Sequence, residues 1–423
     1  MPATTKNQPN EASEDSRRTL ADCTVGLGVT GSIAAYKSAE IIRLLRATGL
    51  QVRVIMTRAA TRLISPDTLA PLSGNPVAVR MFSSESGASP QMEHLEAGRT
   101  ADIMLVAPAS ANILGKVAAG VADDLLSTAI MASPVPVIFV PAMNQRMWEN
   151  PLVQRNVSTL QQAGYHFVGP ESGELACGET GTGRMVAPEV AVDRTLKLLL
   201  EQMGGLRVVV TAGPTEEAVD PVRVLTNRSS GWMGVRLAEA ARDRGHRVTL
   251  IAGPLRCPFP PGVGRIDVVT AEEMLRAVQE VESHAEVLIM TAAVADYRPA
   301  EPKATKIRSG AESLQIRMIP NPDILASVAA GRVARRAVTI GFALEIGDGG
   351  EKRAQEKLTT KQLDMIVLND ATRPGSSFGG ETIESALLFA DGRIERLPLM
   401  SKRDAAQVIV ASAEDLHNLK AGG

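Results

Sequence analysis

The stretch Ala101-Asp-Ile-Met-Leu-Val-Ala-Pro-Ala-Ser-Ala111 has an echo in Ala285-Glu-Val-Leu-Ile-Met-Thr-Ala-Ala-Val-Ala295. Each is an apolar run of strand length that ends in a loop of small residues. A run without polar alternation predicts a strand buried on both faces, as in a parallel sheet covered by helices. The small-residue loop beyond it is where doubly wound sheets leave room for a ligand. Meeting this unit twice predicts two α/β halves built alike.

The rest of the chain repeats the pattern. Candidate strands are Thr24–Val29, Val52–Met56, Val135–Val140, Arg207–Val210, Val248–Ile251, Val338–Ile340 and Met365–Leu368. Helix-length segments lie between them, at Ala34–Ala47, Pro151–Gln162, Glu189–Met203, Met233–Arg244, Ala271–Glu282 and Arg403–Leu416. Alternation of this kind predicts open, mostly parallel, Rossmann-like sheets. Length agrees, because 423 residues exceed one ordinary core. The predicted cut is Met203-Gly-Gly-Leu206, a helix end followed by two glycines, giving units 21–203 and 204–423. Residues 1–20 are polar, without the apolar core of a signal peptide, and are expected to be a disordered arm.

Composition narrows the function. A net charge of −2 argues against a nucleic-acid or membrane surface. No apolar run approaches the ~20 residues of a bilayer span, so a cytoplasmic protein is expected. Cys23, Cys177 and Cys257 are far apart, which argues against a disulfide framework or a structural zinc.

In the first half, Gly26-Leu-Gly-Val-Thr-Gly31-Ser-Ile-Ala-Ala-Tyr-Lys37 has the form G-x-G-x-x-G between a strand and a helix. Backbone N–H groups at such a helix start hold phosphate. A dinucleotide site also wants an acid at the end of the second strand. Here that strand, Gln51–Met56, runs into Thr57, which suits a second phosphate donor and favours a mononucleotide over NAD. Pro141-Ala-Met-Asn144-Gln-Arg-Met147-Trp148 follows another strand. Ala176-Cys177-Gly-Glu-Thr-Gly-Thr-Gly-Arg184-Met185 packs four glycines beside a cysteine, which predicts an irregular, mobile flap.

In this order the motifs resemble the homo-oligomeric flavin-containing cysteine decarboxylases, specifically the phosphopantothenoylcysteine decarboxylase family. The G-S-I-A-A loop, His94 in Met92-Glu-His-Leu-Glu-Ala-Gly98, A-P-A-S-A-N, P-x-M-N-x-x-M-W and the A-C-G flap carry the resemblance from about Val25 to Val190. It implies a flavodoxin-like fold with FMN held by Gly31, Ser32, Ile33, Thr57, Ser110, Ala111 and Asn112. It also implies His94 as base, Asn144 as clamp on the substrate carboxylate and Cys177 as proton donor. Substrate contacts would come from Asn144, Met147, Gly178, Arg184 and Met185, although Met147 and Trp148 could equally be packing. The chemistry fits: thiol oxidation by flavin gives a thioaldehyde whose carbonyl-like carbon accepts the electrons left by CO₂, and return of the hydride with a proton restores the thiol.

In the second half, Val208-Val-Val-Thr-Ala-Gly-Pro-Thr-Glu216 again runs a strand into a glycine turn. Asp220-Pro-Val-Arg-Val-Leu-Thr-Asn227-Arg-Ser-Ser-Gly-Trp-Met-Gly234 then places hydroxyls and glycines before a helix, an anion cradle without the lysine of a P-loop. Lys357 and Lys361, four apart, could grip a triphosphate or line an ordinary solvated helix face. The order T-A-G-P-T, D-P-V-R, N-x-S-S-G-x-M-G, A-A-V-A-D-Y, K-I, N-P-D-I, G-F-A resembles the bacterial, CTP-using phosphopantothenate–cysteine ligase family from about Leu206 to Asp370. The resemblance implies that Met290, Thr291, Ala292, Asp296, Lys306, Pro322, Asp323, Ile324, Leu325, Phe342, Lys357 and Lys361 contact CTP. Asn227 would act on an acyl-cytidylate, Lys306 would assist, and Mg²⁺ would accompany the phosphates with ligands unspecified. The family's Lys-Ile-Lys-Lys cluster reads Lys306-Ile-Arg308-Ser309 here, which leaves CTP versus ATP preference open.

Jointly these resemblances imply a fused enzyme that ligates cysteine to 4′-phosphopantothenate and then decarboxylates the product to 4′-phosphopantetheine. Family trimers and dimers together imply a homo-oligomer, four trimers joined through ligase dimers. A nicotinamide-dependent dehydrogenase and a purely regulatory flavin-binding protein are the competing readings. The missing acid at Thr57 argues against the first, and His94, Asn144 and Cys177 against the second.

Overall fold

The computed structural model describes residues 18–81, 100–175, 178, 180–308, 314–330, 337–345, 349–370 and 380–422. The first half is built on five parallel strands: β1 (Thr24–Val29), β2 (Gln51–Met56), β3 (Ile103–Ala109), β4 (Val137–Pro141) and β5 (His166–Phe167). Their order, β2-β1-β3-β4-β5, is the flavodoxin-like one. Strand order reverses between β1 and β3, so a crevice opens at the carboxyl ends of those two strands. Both faces of the sheet are apolar. Val25, Leu27 and Leu105 pack one way under the helices Lys37–Ala47 and Pro188–Met203, and Met104, Val106 and Phe139 pack the other way.

A short antiparallel hairpin, β6 (Glu171–Glu174) and β7 (Thr180–Arg184), follows. The second half is a sheet of eight strands: β8 (Arg207–Ala212), β11 (Arg247–Ala252), β12 (Gly264–Asp267), β13 (Val287–Met290), β16 (Val338–Glu345), β17 (Met365–Asp370), β18 (Thr382–Phe389) and β19 (Ile394–Ser401). The order is β12-β11-β8-β13-β16-β17-β18-β19. Counted in chain order, the six parallel strands run 3-2-1-4-5-6, the Rossmann order, with its reversal between β8 and β13. Two antiparallel strands extend the far edge. The small ribbons β9 (Glu216–Ala218) with β10 (Val224–Thr226), and β14 (Tyr297–Pro299) with β15 (Met318–Pro320), lie outside this sheet.

The two-sheet α/β architecture agrees with the sequence reading, and four details correct it. Arg18 to Leu20 belong to the fold rather than to a disordered arm: Leu20 is fully buried, and Arg18 pairs with Asp102 at 2.8 Å. The first predicted helix divides into a 3-10 turn, Ile33–Tyr36, and an α-helix beginning at Lys37. Gly26 and Gly28 lie inside β1, so only Gly31 of the glycine motif lies in the loop; a Cβ at Gly28 would meet Leu126 at 2.7 Å. Finally, the glycine-rich segment is not wholly irregular, because Thr180–Arg184 is β7. Its glycines allow close approach: a Cβ at Gly183, where φ is +151°, would lie 2.3 Å from the Met143 carbonyl oxygen.

The halves meet along a narrow seam. Helix Pro188–Met203 ends at Gly204, in the left-handed conformation with φ +66°. A Cβ on Gly245 would lie 2.7 Å from Met203 and 3.0 Å from the Arg18 carbonyl oxygen, and one on Gly262 would lie 2.7 Å from Leu196. Across the same seam the Gly262 N–H donates to Asp193 Oδ1 at 2.9 Å.

Candidate functional site

Each sheet carries a cavity at its reversal point, and the two are assembled by the same device. In the first half, Thr30 follows β1 and is buried. Its hydroxyl donates to the Pro108 carbonyl at 2.7 Å and accepts from the Ser110 N–H at 2.9 Å, so one side chain joins the two loops that flank the crevice. In the second half, Thr211 Oγ1 accepts from the Ala292 N–H at 3.2 Å, and Thr215 Oγ1 accepts from the Ala295 N–H at 2.9 Å. The echo between residues 101–111 and 285–295 is thus also an echo in three dimensions.

The first cavity measures about 1230 Å³ and is lined by Gly31, Ser32, Ile33, Thr57, Ser110, Ala111 and Asn112, together with Asn144, Met147, Arg184 and Met185. Gly178 does not line it, and His94 and Cys177 lie outside the described residues. Ser32 and Ser110 cap the turns that follow β1 and β3 without using their hydroxyls in the caps. These hydroxyls are therefore available to a ligand. Asn144 caps the turn Gln145–Trp148 by accepting from the Arg146 N–H at 2.8 Å, and Gly183 lies directly against it. The hairpin thereby roofs the cavity beside Asn144.

Charge in this cavity favours an anion. Its wall holds five cations (Lys37, Arg58, Arg80, Lys116 and Arg184) and three acids (Asp123, Asp124 and Glu174). Lys116 is spent on Asp123 at 2.6 Å and Asp124 at 2.7 Å, which raise its pKa. Lys37 donates to the carbonyls of Met185 and Val186 at 3.0 and 3.4 Å, tying the first turn of its helix to the end of the hairpin. Burial, followed by repulsion from Arg184, lowers its pKa. Neither Thr30 nor Lys37 is singled out by the sequence reading. Both lie within the stretch Gly26–Lys37, but their partners are far away in the chain.

The second cavity measures about 880 Å³. Met290, Thr291, Ala292, Asp296, Pro322, Asp323, Ile324, Leu325, Phe342, Lys357 and Lys361 line it, as does Asn227. Lys306 does not: it is exposed beside Ile307, whose N–H donates to Asp220 at 3.0 Å. Both lysines line the cavity and are already paired, although Lys357 is exposed. Lys357 binds Glu345 at 2.8 Å and Lys361 binds Asp323 at 3.0 Å. Lys357 leads the causes that lower the Glu345 pKa. For Asp323, burial opposes and the Ala326 N–H and Lys361 prevail, again lowering it. Asn227 donates through Nδ2 to the carbonyls of Ala293 and Val294, both at 3.1 Å, so its amide hydrogens clasp the loop after β13.

Among the described residues no group of acids, histidines and cysteines is arranged to hold a metal, and no helix is long and apolar enough to cross a membrane.

Residues 203–416 match the family described as DNA/pantothenate metabolism flavoprotein C-terminal domain, and residues 13–200 match the family described as Flavoprotein. The coenzyme A biosynthesis bifunctional protein CoaBC of Vibrio cholerae is 44% identical over 397 residues, covering 93% of this chain and 98% of that protein. The chain belongs to the CoaBC family. The Escherichia coli CoaBC protein is 42% identical, with coverages of 92% and 96%. A solved CoaBC C-terminal domain is 35% identical, covering 50% of this chain and 95% of its own, with a TM-score of 0.43. A mutant PPC decarboxylase complexed with pantothenoylaminoethenethiol is 31% identical, with coverages of 40% and 93% and a TM-score of 0.37. As a CoaBC protein, the chain is a bifunctional enzyme of coenzyme A biosynthesis, with a flavoprotein decarboxylase half and a ligase half.

Proposed function

We propose that the first cavity, in unit 21–203, binds FMN and decarboxylates phosphopantothenoylcysteine, and that the second, in unit 204–423, uses CTP to join cysteine to 4′-phosphopantothenate. The observation that carries this reading is that the two sets of motif residues line two separate cavities, each at the reversal point of its own sheet.

Gly31, Ser32, Ile33 and Thr57 would hold the flavin phosphate end, and Ser110, Ala111 and Asn112 the ring side. The ligand-ready hydroxyls and excess of cations on this wall fit a phosphorylated cofactor. When bound, flavin supplies the two-electron sink that a carboxylate β to a thiol lacks. Asn144 would orient the departing carboxylate, with Met147, Arg184 and Met185 around the substrate and Gly178 in the segment beside it. His94 is assigned as base and Cys177 as proton donor.

In the ligase half, the substrate carboxylate attacks the α-phosphorus of CTP and pyrophosphate leaves. The cysteine amine then attacks the acyl carbon, loses a proton and displaces CMP. Lys357 and Lys361, with Mg²⁺, would offset phosphate charge. Met290 to Ala292, Asp296, Pro322 to Leu325 and Phe342 would seat the nucleotide. Asn227 would hold the loop against which the acyl group lies, and Lys306 would reach the intermediate from outside the cavity. The two reactions suit a cytoplasmic homo-oligomer. Exposed Val222, Val224, Leu225 and Tyr297 on the outer ribbons offer a dimer face, and exposed Ile33, Tyr36 and Met147 offer a second contact at the flavin cavity.

One incubation tests the whole reading. Purified protein with phosphopantothenate, cysteine and either CTP or ATP is analysed by mass spectrometry, beside Cys177→Ser and Asn227→Asp. Cys177→Ser should form no 4′-phosphopantetheine while flavin is retained, and Asn227→Asp should block ligation while still decarboxylating supplied phosphopantothenoylcysteine. Loss of both activities in either variant would remove the two-cavity division.

A further inference from the structure

The ligase cavity is a trough along the carboxyl edge of its sheet, reaching from Thr211 at the end of β8 to Lys402 just beyond β19. Two antiparallel steps, from β17 to β18 and from β18 to β19, turn β19 parallel to β17, so Ser401 and Lys402 emerge on the cavity edge. That position is fixed on both sides. The Lys402 N–H donates to the Glu381 carbonyl at 2.8 Å, and Ser401 caps the following helix by accepting from the Asp404 N–H at 3.1 Å.

Two properties separate Lys402 from Lys357 and Lys361. The first is the face from which it enters. Lys357 belongs to the helix Gly350–Thr360, which packs on one face of the sheet through Ala354 and Leu358, with Lys361 at its end. Lys402 begins the helix Lys402–Gly422, which packs on the other face through Ala406 and Ile409, against the helix Trp232–Asp243. The second property is pairing. Lys357 and Lys361 each hold a carboxylate, whereas Lys402 forms no ion pair among the described residues. Burial lowers its pKa, and a phosphate dianion would reverse that cost. Ser230 and Gly231, at the start of the helix Trp232–Asp243, line the trough nearer its Thr211 end, where Gly231 lies against Gly213.

Resting on the ligase reading above, we propose that Lys402 is a substrate-positioning residue that holds the phosphate of the carboxylic-acid substrate. The nucleotide phosphates occupy the face of Lys357 and Lys361, and the acid's own phosphate occupies the face of Lys402. Selection for a phosphorylated acid is then made by a residue remote from the reacting carboxylate.

The test uses the full chain and follows nucleotide-dependent pyrophosphate release with cysteine and either 4′-phosphopantothenate or pantothenate. Wild type should prefer the phosphorylated acid. Lys402→Met should raise KM for that acid by about tenfold or more, the scale of one charge-assisted contact, with nucleotide KM unchanged. Its preference over pantothenate should shrink by the same factor, and Lys402→Arg should restore most of it. A rise in nucleotide KM alone, or an undiminished preference, overturns the assignment. If both variants melt early, equilibrium binding of 4′-phosphopantothenate to Lys402→Gln below its melting temperature decides, and wild-type affinity overturns it. A wild type that releases no pyrophosphate with either acid would instead remove the ligase reading itself.

Discussion

Nε2 of His246 lies 2.6 Å from Oε1 of Glu414, across 168 residues of chain. The other ring nitrogen, Nδ1, accepts from the Leu206 N–H at 3.1 Å, so the ring proton sits on Nε2 and points at the carboxylate. Arg244 binds the second oxygen of Glu414. One buried histidine thus fastens the first residues of the ligase half to its last helix.

Burial alone would raise the Glu414 pKa, but His246 and Arg244 outweigh it and hold it down at about 2. A carboxyl depressed in the folded state contributes stability above its unfolded pKa, ~4.3, and loses it as pH falls toward the folded value. Glu414→Ala should therefore cost about 2–3 kcal/mol at pH 7, from the unpaired His246 and Arg244 as well as the lost shift. Urea midpoints of the two proteins should differ equally at pH 7 and 6, and the difference should shrink from about pH 4 down to about pH 2. A difference independent of pH would show that Glu414 acts by packing alone.

Thr30→Val keeps shape and removes the hydroxyl that joins Pro108 to Ser110. The orphaned carbonyl and N–H should cost about 1–3 kcal/mol. Because the loop carrying Ser110 loses its tie, flavin content of the purified protein, read as absorbance near ~450 nm per chain, should drop while ligation persists. Full flavin occupancy would separate this bond from cofactor binding.

Gly183→Ala places a methyl group against the Met143 carbonyl. The hairpin must lift from Asn144, and decarboxylation of supplied phosphopantothenoylcysteine should decline by about tenfold or more, the usual cost of a displaced positioning group. Flavin should remain bound, since Gly183 touches none of the residues assigned to it. Unchanged turnover would mean that the roof does not position substrate.

Lys361→Met leaves Asp323 without its partner and takes a cation from the nucleotide wall. Nucleotide KM should rise about tenfold. Turnover in the decarboxylase half should be unaffected, as the two cavities share no residue. An equal fall in both activities would argue for global damage instead.

Much of this was legible because it is local. Apolar runs such as Ile103–Val106 and Val287–Met290 announce buried strands, and the residues after them are the crevice by topology. The strands β18 and β19 are hard to read, since β18 sets Glu384 and Ser385 inside a largely buried run and β19 is mostly exposed, and each gains its place only from a neighbour in the assembled sheet. The glycine-rich flap misleads for a related reason. Glycine in Thr180–Arg184 reads as freedom in one dimension, yet here it marks where two backbones touch. Lys402 carried no motif at all, because its meaning depends on a sheet edge assembled from segments far apart in sequence.

The seam between the halves runs past glycines that the opposite half closely approaches. At Gly245 a methyl group would press on Met203 and the Arg18 carbonyl, and at Gly262 on Leu196, so a substitution there becomes a wedge between one half and the other. It is a fitted joint rather than a bare tether, and the closeness with which the two crevices are brought together depends on side chains that these positions do without.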